Sequence, residues 1–81
     1  MIRVLIADDQ AIVRKGMIQI SAEKMDVKVA AEAASAEEVF DQLRANPYDI
    51  LVLDINLGDA CGLDVLKSVK AEWPDLPVLI L

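Results

Sequence analysis

Four short apolar runs constrain this chain more than any other feature: Ile2 to Ala7, Val27 to Ala33, Ile50 to Leu53 and Val78 to Leu81. Between them lie three segments whose apolar residues recur at helical spacing. The first, Ala11 to about Glu23, carries Val13, Met17 and Ile20; the second carries Ala36, Val39, Phe40 and Leu43; the third carries Leu63, Leu66, Val69 and Trp73. The order is therefore βαβαβαβ. Strands joined by crossovers long enough to hold a helix run parallel and connect right-handedly, which predicts an α/β fold around a parallel sheet. Ile50-Leu51-Val52-Leu53 contains no polar residue, as expected of a strand covered on both faces. Val27, Val29 and Ala31 alternate with Lys28, Ala30 and Glu32, the pattern of a half-buried edge strand.

Local signals bound these elements. Ser35 and Glu38 have capping-box spacing, Asn46-Pro47 stops the second helix, and Pro74 ends the third. Leu57 to Gly62 reads as a loop with two glycines. With no internal repeat or Gly/Pro/Ser-rich linker, residues 1–81 form one domain. No turn signal follows Val78 to Leu81, so this apolar strand has nothing to cover it, and we expect a truncated domain.

Apolar residues make up 56% of the chain, which excludes disorder, while no run reaches the ~18 uncharged residues of a membrane span. Fourteen acidic against eight basic residues give a net charge of −6. Such a surface repels phosphate backbones and anionic lipid, so neither nucleic acid nor membrane is expected to bind through this chain. Cys61 has no partner for an internal disulfide, and Met1 leads straight into Ile2-Arg3-Val4 without a signal-peptide pattern, so we expect a cytoplasmic protein.

In an open parallel sheet, ligands bind at the carboxyl ends of the strands, near the point where strand order reverses. Asp8 and Asp9 follow the first strand, and Asp54 ends the third, with Ile55, Asn56, Leu57, Gly58 and Asp59 after it. These strand-end loops contain no Lys, Arg or His. If the first and third strands are neighbours, three carboxylates converge, and they must take up protons or bind a cation. A few hard oxygen ligands favour Mg2+, and a main-chain carbonyl from the loop after Asp54 is a further possible donor. Each acid also has a plainer reading: Asp8-Asp9 as a helix cap, and Asp54 as a loop acid bonded to nearby amides. Gly58 and Gly62 read as turn residues, Cys61 as an ordinary loop residue, Trp73 as helix-end packing, and Glu37-Glu38-Asp41 as a solvated helix face.

Ile6-Ala7-Asp8-Asp9 after the first strand, and Leu53-Asp54-Ile55-Asn56-Leu57 with Gly62 eight positions beyond Asp54, resemble the receiver domain of bacterial two-component response regulators. Val13-Arg14-Lys15-Gly16-Met17 and Gly62-Leu63-Asp64-Val65-Leu66 resemble the subfamily with a C-terminal helix-turn-helix. The resemblance implies a flavodoxin-like fold of order 2-1-3-4-5, of which this chain would hold the first four strands, leaving out the fifth. It implies that Asp54 accepts a phosphoryl group from a sensor histidine kinase. It also implies that Asp8 and Asp9 hold Mg2+ together with Asp54, and that the main-chain carbonyl of Asn56 completes the site. The domain would be a signalling module assisting its own phosphotransfer, not an enzyme, and would control a DNA-binding domain and transcription in the intact protein.

Gly58 departs from the family, which has Pro there. The switch hydroxyl residue and the phosphate-binding Lys of the family lie beyond Leu81, so this chain alone is expected to bind Mg2+ weakly and be phosphorylated little. An Mg2+-dependent phosphohydrolase resembling the haloacid dehalogenases is the enzymatic alternative, but it wants an Asp where Asn56 stands. A receiver-like fold that only binds partners is the other. An exposed fourth strand and an uncovered sheet face are expected to make the chain self-associate.

Overall fold

The structure, a computed structural model, describes residues 1–23 and 26–81. Its elements are β1 (Ile2–Ala7), α1 (Ala11–Ala22), β2 (Val27–Ala33), α2 (Ala36–Ala45), β3 (Ile50–Leu53), β4 (Asn56–Leu57), β5 (Ala60–Cys61), α3 (Gly62–Glu72) and β6 (Val78–Ile80). The main sheet runs β2-β1-β3-β6 with every pair parallel. This is the expected α/β architecture, with β6 as the fourth strand of the expected 2-1-3-4 order. The direction of strand addition reverses at β1, so β1 and β3 lie side by side with their carboxyl ends together.

Side-chain alternation sorts the core into two layers. Leu5, Ala7, Leu51 and Leu53 face Val39 and Leu43 of α2 and Val65 and Val69 of α3. Val4, Ile6 and Val52 face the other way, against Met17 of α1. Half of the capping box forms as expected, with Glu38 N–H donating to Ser35 Oγ at 3.2 Å; the Glu38 carboxylate reaches one residue further back and accepts from Ala34 N–H. Phe40 and Trp73 stack with centroids 6.2 Å apart, joining α2 to the end of α3.

Four expectations are corrected. Ile20 is 66% exposed, because α1 leans on β2 and turns Val13, Met17 and Ile18 inward while Ile20 falls on its free flank. Leu63 is likewise 46% exposed, and Val65 takes its place beside Val69. β2 does not keep one alternation: Val4 pairs with Val29 but Leu5 pairs with Ala31, so Ala30 is an extra, bulged residue. Val27 and Val29 therefore pack on the α1 side, and Ala31 and Ala33 on the α2–α3 side. Finally, β6 is not a fully buried strand. Val78 and Ile80 turn to the α2–α3 layer, while Leu79 on the α1 side is 52% exposed. The exposed apolar edge expected at the fourth strand is thus present at Leu79, whereas the sheet face expected to be uncovered beside the first helix is buried at Val4, Ile6 and Val52.

Candidate acidic site at the strand ends

The site is built on backbone continuity. The sheet ladder extends one residue past each strand: Asp8 N–H donates to Ala33 O at 3.0 Å, and Asp54 N–H to Ala7 O at 2.9 Å. Asp8 and Asp54 are thereby fixed to the ends of β1 and β3. One carboxylate oxygen from each of Asp8, Asp9 and Asp54 lies within 4.8 Å of the others. Oxygens in an octahedral Mg2+ shell stand about 3–4.2 Å apart, so this spacing and all-oxygen donor set fit a hard divalent cation. The side chains differ in setting: Asp8 is 3% exposed, Asp54 is intermediate, and Asp9 is open to solvent.

Asp8 is not a helix cap. Gln10 occupies the N-cap position of α1 without a side-chain cap bond, and its N–H donates to Asp8 Oδ1 at 2.8 Å. That bond turns the chain between β1 and α1 and leaves Asp9 projecting outward. Asp54 Oδ1 accepts the N–H of Asn56 at 3.2 Å, so the main chain of Asn56 meets Asp54 through its amide.

The segment expected to be a plain loop folds as a small antiparallel hairpin, β4 with β5, turning at Gly58-Asp59. Gly58 has φ +61°, as the first central residue of a type II′ turn requires. Proline, held near φ −65°, cannot adopt it, which accounts for the departure at this position. Gly62 serves a different purpose from the expected turn. Its φ is not positive; instead, a Cβ there would lie 2.5 Å from the Asp54 carbonyl oxygen and 2.6 Å from Ile55 Cα. Its N–H donates to Ile55 O at 2.6 Å. Gly62 thus lets α3 start directly against the backbone of Asp54.

One contributor escapes a reading of the strand-end loops. Arg14, one turn into α1, donates from Nη1 to the Asp8 carbonyl at 2.6 Å. Helical side chains lean toward the N-terminus, so a cation in the first turn reaches the preceding loop. That rule was the available signal.

An acidic trio stands at the carboxyl edge of a parallel sheet in which β1 lies between β2 and β3, and residues 4–81 match the response regulator receiver domain family, to which this chain belongs. It is 32% identical over 81 residues to the DNA-binding transcriptional activator DevR/DosR of Mycobacterium tuberculosis. It is 33% identical over 81 residues to a protein-glutamate methylesterase/protein-glutamine glutaminase of Oleidesulfovibrio alaskensis. Each match spans all of this chain, but only 37% and 22% of the respective relative. Among solved structures, RcsB from Salmonella enterica serovar Typhimurium, bound to promoter rprA, superposes with a TM-score of 0.92. That match covers 99% of this chain and 68% of the other at 24% identity, and shows the shared fold. No helix among the described residues is long and apolar enough to cross a membrane.

Proposed function

We propose that Asp54 is a phosphoacceptor, charged by a sensor histidine kinase, and that Asp8, Asp9 and Asp54 with the Asn56 main-chain carbonyl hold Mg2+. The observation that carries this reading is the convergence of three carboxylates at the ends of β1 and β3 in a receiver-family chain. Asp54 Oδ1 is engaged by the Asn56 amide, which orients the carboxylate and leaves its second oxygen for attack on phosphorus. As the new P–O bond forms, the bond from phosphorus to the donor imidazole nitrogen breaks and the electron pair leaves with the imidazole. Mg2+ supplies the positive charge that offsets repulsion between a carboxylate and an anionic phosphoryl group. Asp8, held by the Gln10 amide, and Asp9, open to solvent, present the charge that holds the ion in place.

Asn56 in place of a second acid disfavours a phosphohydrolase that turns over a substrate, and the domain acts as a cytoplasmic signalling module. In the intact protein it governs DNA binding and transcription, a reading supported by the name of one relative. The protein containing this domain should gain one phosphoryl mass from acetyl phosphate, mapped to Asp54 and lost on Mg2+ chelation. Labelling elsewhere, or undiminished by chelation, would sink the reading.

Self-association through the exposed edge of β6, or through the sheet face beside α1 at Leu79, is part of the same proposal. Light scattering of the 81-residue chain should give a dimer or larger species; a monodisperse monomer with a cooperative melt would refute it.

A further inference from the structure

We propose that Arg14, anchored by Glu32, is a positioning residue that fixes the backbone carrying Asp8 and Asp9. The proposal rests on the phosphoacceptor reading and adds a residue to it. Arg14 Nη1 donates to the Asp8 carbonyl at 2.6 Å, while Nε donates to Glu32 Oε1 at 2.9 Å. Its backbone N–H donates to Gln10 O at 3.2 Å. One residue therefore grips the turn between β1 and α1 and ties it to the end of β2. The Arg14 side chain is 17% exposed and its bond to the Asp8 carbonyl is half-buried, so that bond is less screened than the one to Glu32, whose side chain is 41% exposed.

The bulge at Ala30 supplies the anchor. Unbroken alternation from Val27 would aim Glu32 at the α2–α3 layer; the extra residue turns it to the α1 side, where Arg14 meets it.

A cation here acts in one of two ways, and the two have opposite signs. As bare charge, Arg14 repels Mg2+, so its removal tightens ion binding. As a positioning group, it holds the ligand loop in shape, so its removal loosens binding. Partners that orient metal ligands are typically worth about 10-fold or more in affinity. Calorimetric titration of Mg2+ alone into the protein containing this domain separates them. Arg14→Gln should bind about 10-fold more weakly, and Arg14→Lys should recover only part, since an ammonium lacks the fork that spans Asp8 and Glu32. In the ion-free protein, amide exchange over residues 8–10 should accelerate in Arg14→Gln while β3 stays protected. Mg2+ affinity that is unchanged or raised in Arg14→Gln overturns the proposal, and so does unaltered exchange over residues 8–10. If the native protein bound no Mg2+, the phosphoacceptor reading would fall, and exchange alone would decide whether Arg14 holds the loop.

Discussion

Replacing Asp54 by Asn is expected to abolish phosphoryl incorporation while leaving the fold intact. Asn has the same shape and keeps an Oδ1 acceptor for the Asn56 N–H, which now donates at 3.2 Å. The backbone bond from residue 54 to Ala7 O, 2.9 Å, does not involve the side chain. Lost are the negative charge and nucleophilic oxygen, for which no other atom at the tip of β3 substitutes. Three carboxylate oxygens within 4.8 Å repel one another, and like charges at about 4 Å in water cost about 1 kcal/mol per pair. Asp54→Asn should therefore melt at the native temperature or slightly above it. Asp9→Asn makes the complementary change: it keeps the nucleophile but weakens ion binding, and should slow labelling by about 10-fold or more. Intact mass after acetyl phosphate treatment reads both variants, and undiminished labelling of Asp54→Asn would remove Asp54 from the mechanism.

The second large effect is structural. Gly62→Ala should destabilise the domain by about 3 kcal/mol, the upper part of the usual range for overpacking. The added methyl would lie 2.5 Å from Asp54 O and 2.8 Å from Ile55 O, which are backbone atoms with no rotamer to escape into. For a domain of this size the melting temperature should fall by about 15 °C. Because the obstructing peptide belongs to Asp54, Mg2+ affinity should fall as well. Gly16→Ala is the matched control: Gly16 is on the exposed side of α1 and no atom outside the adjoining backbone lies within 4 Å of its would-be Cβ, so it should stabilise by about 0.5–1 kcal/mol. Equal melting shifts for the two variants would show that the Asp54–Gly62 contact is not tight.

Periodicity alone carried the element order, the parallel sheet and the three acids, because buried runs and strand-end polar residues are local patterns. It misplaced residues wherever the neighbour, not the segment, decides the facing. Ile20 and Ile18 both suit an amphipathic helix, and only the lean of α1 onto β2 selects Ile18. Leu63 and Val65 are separated in the same way by how α3 docks. The bulge at Ala30 leaves no trace in composition, since Ala30, Ala31 and Ala33 are alike small and apolar. Its effect shows only once β2 is paired with β1. Gly62 was legible as a glycine that matters, but its reason lies in a tertiary approach to Asp54 that turn chemistry does not encode.

The hydrogen bonds that carry the ladder past the strand ends also link those ends to one another. Asp8 to Ala33, Asp54 to Ala7 and Leu81 to Leu53 form a single row of peptide links across all four strands. From the Asp54 peptide that seam runs to the Arg14-linked end of β2 on one side and to Leu81 on the other. The backbone that carries Asp8 and Asp54 is thus one stretch of a continuous hem, which joins the acidic site to the outer edge of the sheet with no side chain in between.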